Sequence, residues 1–357
     1  MELGIIGLPQ SGKTTLFNAL TRGDVPTGIS GGKMEVHTAV IDVPDERVDQ
    51  LTEMFKSKKV VYAKVTYADV AGLEGKAAEG GISGPLLNTL GQMDGFIHVV
   101  RQFDNPLVPH RDGSIDPKRD LANMEGELII NDMILVERKL QRLEEERKRG
   151  GVGRDKGVVA RETELFERLQ TLLSEEIPLR NETFTEDEEV MMSSYGFLSK
   201  KPQLIVVNHS EDQTPIEIET PYARTRVVSM PAKLEMDIAQ LPPEEAEIFL
   251  AEYGIEEPGL NRFIKLSYDL LGLQSFFTAG DKETHAWTVA RGATAPEAAG
   301  VIHSDMQKGF IRAEVVSYED LMSLGSFAEA RNQGRLRVEG KKYVMEDGDV
   351  IEIRFNI

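Results

Sequence analysis

The sequence predicts an α/β fold: a doubly wound parallel sheet of the P-loop NTPase kind, interrupted by an antiparallel helical hairpin of coiled-coil character and followed by a small C-terminal β-grasp-like domain. Three observations predict it. Gly7-Leu8-Pro9-Gln10-Ser11-Gly12-Lys13-Thr14 lies between an apolar run, Leu3 to Ile6, and an amphipathic run, Leu16 to Leu20. Residues 125–176 are strongly charged with apolar positions at heptad spacing, and from Ser275 onward short β-rich segments replace the helix-rich texture. The expected division is therefore 1–124 with 190–274 as the nucleotide-binding domain, 125–189 as the inserted hairpin and 275–357 as the C-terminal domain.

The pattern G-x-x-x-x-G-K-[ST] makes chemical sense where a buried strand turns sharply into a helix, because backbone N–H groups then converge on phosphate oxygens. Both flanks of Gly7–Thr14 meet that condition. Gln10, Ser11, Gly12, Lys13, Thr14 and Thr15 are the expected phosphate-binding residues. Lys13 places its ammonium against the β- and γ-phosphates, and the Thr14 hydroxyl completes the coordination of Mg²⁺.

Gly23 to His37 is rich in glycine and polar residues around Gly31-Gly32 and is expected to form a mobile loop. Val60 to Asp69 (VVYAKVTYAD) is expected to form a β-strand ending at Asp69-Val70-Ala71-Gly72-Leu73. An aspartate at the carboxyl end of a parallel strand lies beside the phosphate loop, where Asp69 holds Mg²⁺ through water and Gly72 offers an N–H to the γ-phosphate. Phe96 to Val100 and Gln203 to Asn208 have the near-continuous apolar character of strands covered on both faces. The second runs into Asn208-His209-Ser210-Glu211. GTP-binding P-loop proteins usually carry N-K-x-D here, whose aspartate accepts from two adjacent N–H donors of guanine. With His209 for the lysine and Glu211 one methylene longer, that bidentate fit is lost and base preference moves toward ATP; the alternative is a polar loop with no base contact.

Ile129, Met133, Val136, Leu140 and Leu143 repeat at spacings of 4, 3, 4 and 3, and Val158, Leu165, Leu169 and Leu172 echo them after Gly150-Gly151-Val152-Gly153. Two such helices fold back on each other. From Arg138 to Arg161 the tip carries nine cations (Arg138, Lys139, Arg142, Arg147, Lys148, Arg149, Arg154, Lys156, Arg161) against four anions (Glu144, Glu145, Glu146, Asp155). It is the strongest local exception in a chain of net charge −19, whose mean field repels polyanions, and so the first candidate for an RNA contact. Further on, Pro242-Pro243 open a helix to Glu252, and Leu260 to Leu271 forms the last helix before the β-rich module. There Phe276-Phe277, Trp287 to Val289, Gly309 to Val316 and Val350 to Phe355 read as strands. Pro296 to His303 and Tyr318 to Glu329 read as helices.

At 357 residues two or three domains are expected. The absence of cysteine excludes disulfides, thiolate metal sites and thiol nucleophiles. With no apolar run of membrane length and no basic, apolar leader after Met1, a cytoplasmic location without membrane or DNA partners is the expectation.

The phosphate loop, D-V-A-G-L, N-x-x-E in place of N-K-x-D, the inserted hairpin, and FFTAG, AWTV, APEAAGVIH, KGFIRAEV and DGDVIEIRFN together resemble the YchF/Obg-like ATPases over essentially the whole chain. The C-terminal strings resemble that family's TGS domain, a ubiquitin-like module. The resemblance implies Mg²⁺-dependent ATP hydrolysis with some GTP use, and association with the ribosome or ribosomal RNA through the hairpin tip, the TGS domain or both. Several positions depart from the family pattern. Gln10, Ser11 and Thr14 replace Asn, Val and Ser; Lys33 stands where a metal-ligating Thr is usual, with Thr38 out of register; Pro231-Ala232-Lys233 replaces S-A-K. These departures suggest a divergent branch. Leu73 cannot orient an attacking water, as the glutamine of many GTPases does. His110, in the polar loop Phe103 to Gly113, is the candidate catalytic group beside Lys13, and slow turnover raised by a partner follows. A non-hydrolysing nucleotide-binding module that docks on ribosomes or RNA is the alternative.

Overall fold

The structure is a computed structural model; it describes residues 1–23, 25, 36–70, 84–148, 154–252, 255 and 257–356. Gly72, Leu73, Lys33, Gly31-Gly32, Arg149 and Gly150–Gly153 lie outside the described residues. Two compact units are formed. The first holds Met1–Ala39 and Thr66–Leu260; the second holds Val40–Val65 and Asn261–Ile357.

The first unit is built on a sheet of β1 (Glu2–Ile6), β2 (Val36–Asp42), β4 (Lys64–Val70), β5 (Gly95–Arg101), β6 (Gln203–Asn208) and β7 (Thr225–Met230), in the order β2-β4-β1-β5-β6-β7. β3 (Val60–Val61) belongs to the other sheet. The pairs β1-β4, β1-β5, β5-β6 and β6-β7 are all parallel. Every residue of β5 and β6 is buried, as an apolar strand covered on both faces must be. Leu86, Leu90, Met124 and Leu128 pack with Ile6, Val70 and Phe96 in one core cluster, while Leu121 joins Val100, Ile205 and Val207 in another.

The hairpin consists of helices Pro117–Lys148 and Lys156–Ser174. Ile129, Val136 and Leu143 are buried as the heptad pattern requires, with Met133 and Leu140 partly so. On the returning helix Leu165 and Leu169 are buried with Phe166 and Leu173; Leu172 lies at the edge of that cluster. Arg154 pairs with Glu146 at 3.1 Å and Lys139 with Glu162, so the two helices run antiparallel. The base of the hairpin is fixed by buried polar contacts. Arg180, fully buried, pairs with Glu125, which also accepts from Gln203 at 3.0 Å. Asp132 accepts from the N–H groups of Leu198 (2.8 Å) and Ser199 (2.7 Å), tying the outgoing helix to the chain that enters β6.

The second unit is a mixed sheet of β8 (Leu273–Ala279), β9 (Thr284–Ala290), β10 (Phe310–Ser317), β11 (Arg337–Glu339) and β12 (Asp349–Phe355), extended by β3 in the order β11-β10-β12-β8-β9-β3. Helix Ala295–Ile302 buries Ala295, Ala298 and Ala299 against Phe276, Val289 and Val315. The helix expected over Tyr318 to Glu329 is two, Tyr318–Leu324 and Phe327–Asn332, because Gly325 takes a left-handed cap (φ 78°).

The expected division placed all of 1–124 with the nucleotide-binding domain. Instead Val40–Val65 joins the C-terminal unit, and the stretch Val60 to Asp69, expected as one strand, is split between the two sheets as β3 and β4. Ser57 Oγ donates to Gly280 O at 2.6 Å, and Thr284 N donates to Lys59 O at 2.9 Å, beside the parallel β3-β9 pairing.

Candidate nucleotide-binding site

β1 ends at Ile6, and the loop turns into helix Lys13–Thr21 through two glycines whose backbones suit no other residue. Gly12 has φ 97°, and a Cβ there would collide with the Asn208 side-chain amide; a Cβ on Gly7 (φ 149°) would collide with the carbonyl oxygen of Val99. The Lys13 ammonium, largely buried, donates to the carbonyl oxygens of Gly7 (3.1 Å) and Leu8 (2.9 Å), so the cation lies over the loop. The Thr14 hydroxyl donates to Asp69 Oδ2 at 2.8 Å. Gln10 adopts φ 61°, Ser11 is buried and Thr15 follows Thr14 in the first turn of the helix.

Thr14 and Asp69 suit Mg²⁺. They offer two hard oxygen donors side by side at the end of a parallel strand and beside the loop, and Mg²⁺ takes few protein ligands while keeping water and phosphate oxygens. Among the described residues no group of three or more His, Cys, Asp or Glu forms a separate metal cluster. His98, on β5, is held neutral by burial, with the positive charges of Arg180 and Lys13 adding to the effect; its pKa is pushed down to about 3.

Asn208 ends β6 and is buried. Its Nδ2 donates to the Ser11 carbonyl at 3.0 Å and its Oδ1 accepts from the Ala232 N–H at 3.1 Å. One side chain therefore clamps the phosphate loop to the Pro231-Ala232-Lys233 segment, a role beyond the base contact its motif suggested. Past it, His209 Nδ1 hydrogen-bonds the Ser210 carbonyl (2.7 Å), and Gln213 Oε1 accepts from Ser210 N (3.0 Å). Glu211 is exposed.

His110 sits otherwise than the sequence suggested. Its Nε2 hydrogen-bonds Asp120 Oδ2 at 2.8 Å and its Nδ1 accepts from the Asp112 N–H at 3.1 Å, which assigns the proton to Nε2. The two side chains are nearly buried, at 5% and 4% exposure. Arg119 holds the other oxygen of Asp120 at 2.8 Å. Among the described residues the ring touches neither Lys13, Thr14 nor Asp69, so a catalytic role requires the ring to leave Asp120. His110 also lines a cleft of about 450 Å³ with Arg101, Asn105 and Gln213.

Residues 2–139 match the family described as 50S ribosome-binding GTPase, and residues 273–356 match YchF-GTPase_C, described as a protein of unknown function. The ribosome-binding ATPase YchF of Bacillus subtilis is 41% identical, with all of both chains covered. The chain belongs to the YchF family. The YchF of Haemophilus influenzae is 40% identical, covering 100% of this chain and 99% of its own. The structure of the Schizosaccharomyces pombe YchF GTPase superposes with a TM-score of 0.86 at 31% identity, over 99% of this chain and 97% of that one. The expected divergent branch is not upheld, because full-length identity of about 40% is shared with several YchF proteins at once. Sequence reasoning missed Asp120 and the clamp formed by Asn208. The first has no motif spacing; the second was visible as a residue but not as a contact.

Proposed function

We propose that this YchF-family chain is a Mg²⁺-dependent ATPase that works as a nucleotide switch on the ribosome, with GTP as a weaker substrate. The observation that carries the reading is the convergence of Lys13, Thr14 and Asp69 at the end of β1 and β4, with Asn208 holding the loop from behind. The relatives' names, ribosome-binding ATPase, supply the reaction and the partner.

Lys13 exchanges the carbonyls of Gly7 and Leu8 for phosphate oxygens, so the ammonium that lies over the loop neutralises the bound triphosphate. Thr14, directly, and Asp69, through water, would hold Mg²⁺, which would supply charge neutralisation at the triphosphate. Glu211 and His209 read the base, and the single carboxylate acceptor favours the one exocyclic amine of adenine. His110, freed from Asp120, orients the attacking water. Its present tie to a buried carboxylate accounts for slow basal turnover, and a ribosomal contact that shifts the 103–113 loop releases it. Ribosome contact through the cations of the hairpin tip belongs to this reading, as does a cytoplasmic location, where ribosomes work, without DNA or membrane partners. Among the described residues no helix is long and apolar enough to cross a membrane.

Titration with ATP and GTP tests it. The wild type should bind ATP more tightly, while Lys13→Ala and Thr14→Ala should lose Mg-nucleotide binding yet melt as the wild type does. Near-wild-type ATP affinity in both variants would remove the phosphate-loop assignment.

A further inference from the structure

The C-terminal module has no basic run of its own, but the fold brings one to it from elsewhere in the chain. Lys56, Lys58, Lys59 and Lys64 belong to the Val40–Val65 segment of the second unit. Their backbone is fixed against the turn between β8 and β9. Ser57 Oγ bonds Gly280 O (2.6 Å) and Thr284 Oγ1 (2.7 Å), Lys58 N donates to Asp281 O (3.3 Å), and Thr284 N donates to Lys59 O (2.9 Å). That turn adds Lys282. Lys56, Lys58, Lys59 and Lys282 thus meet at one end of this sheet, three of them from a segment more than 200 residues away in sequence, while Lys64 begins β4 in the other sheet.

The nearby acids are largely engaged. Glu283 is taken by Lys59 (2.5 Å) and His285 (3.0 Å), and Asp42 by Lys64 (2.6 Å). Lys56, Lys58 and Lys282 are exposed and carry no ion pair among the described residues; Asp281 precedes Lys282, and Glu53 lies one helical turn before Lys56. Lys56 caps helix Glu46–Phe55 in the left-handed conformation (φ 52°). The field also favours this unit. Its 17 Lys and Arg nearly balance 19 Asp and Glu, whereas the whole chain stands at −19, so almost all of the repulsion a polyanion meets comes from the other unit.

We propose that Lys56, Lys58 and Lys282, with Lys59 at their edge, form a phosphate-binding surface through which the second unit contacts the RNA backbone. This deepens the ribosome reading and rests on it. Exposed ammonium groups without ordered acceptors match a charged backbone read without sequence, and each phosphate contact adds a counterion-release step that salt reports.

The test uses the full chain, purified 70S ribosomes and protein-free ribosomal RNA. Combined Lys56→Glu, Lys58→Glu and Lys282→Glu should weaken binding to both at least tenfold and lower the log–log salt slope by about 2 to 3, roughly 0.7 to 0.9 per lost phosphate contact. The Lys→Gln version should show the same slope change with a smaller loss, and in both the thermal unfolding of the second unit should be unchanged, which reads out its folding, with ATP affinity unchanged as well. Wild-type affinity and slope on protein-free RNA would overturn the proposal. So would loss of ribosome binding with RNA binding intact, which assigns the surface to an acidic ribosomal protein. If the wild type fails to bind ribosomes at all, the ribosome reading falls while the RNA arm still decides the surface.

Discussion

Replacing Asn208 with alanine probes the point where the phosphate loop is held. The substitution deletes two hydrogen bonds, at 3.0 Å to Ser11 O and 3.1 Å to the Ala232 N–H, and leaves both backbone groups without a partner in a site where Ala232 is fully buried. Each stranded buried group costs about 1 to 3 kcal/mol, so with two of them the unit should lose about 2 to 6 kcal/mol. For a domain of this size, at about 2 to 4 °C per kcal/mol, that lowers Tm by about 4 °C at the least and about 24 °C at the most. Nucleotide affinity should fall as well, because the loop that presents Gly12 and Lys13 loses its rear support. Asn208→Asp separates the two contacts. The carboxylate still accepts from Ala232 but faces the Ser11 carbonyl with an oxygen, so nucleotide binding should suffer more than stability. Differential scanning calorimetry with an ATP titration measures both. Asn208→Ala with unchanged Tm and unchanged affinity would show that the clamp contributes nothing, and the geometric reading of the site would be wrong.

Three further perturbations follow. Burial pushes the Asp132 carboxyl up to about 7 against the opposing N–H bonds of Leu198 and Ser199, so its stabilising effect is complete below about pH 4 and is lost as pH rises through 7. Asp132→Asn should flatten that dependence, worth up to about 4 kcal/mol, in urea unfolding at pH 5 and pH 8; parallel losses in both proteins would refute it. Glu211→Asp combined with His209→Lys should move base preference toward GTP, and a wild type that already binds GTP tenfold more tightly than ATP would contradict the base-reading argument. At the hairpin tip Arg154 is spent on Glu146 and Glu162, and Lys148 on Glu144, so charge reversal belongs on Arg138, Arg142, Arg147 and Arg161, which have no ion pair among the described residues. Ribosome co-sedimentation and its salt slope should fall together while basal hydrolysis persists; unchanged sedimentation at two salt concentrations would reject the tip.

Much of this architecture was legible because the strongest signals are local. Buried parallel strands announce themselves as apolar runs, as in Gln203–Asn208, and the heptad spacing of Ile129, Val136 and Leu143 located the hairpin. What escaped was long-range. The run Val60 to Asp69 contains no breaker, so nothing in it says that Val60 and Val61 pair with β9 while Lys64 onward pairs with β1. That choice is made by residues more than 200 positions away. The same reason hides the Arg180–Glu125 pair at the hairpin base and the Asp120 partner of His110, since ion pairs between elements leave no periodicity. Asn208 shows the middle case: the motif marked the residue, and only the fold showed that it grips Ser11 and Ala232.

Inorganic phosphate release from ATP, measured with and without 70S ribosomes and with Lys13→Ala as the blank, tests the central claim most directly. The account predicts slow release by the wild type, several-fold acceleration by ribosomes, and neither in the variant. Release no greater than the Lys13→Ala blank under both conditions would contradict it and leave a nucleotide-binding module that does not hydrolyse.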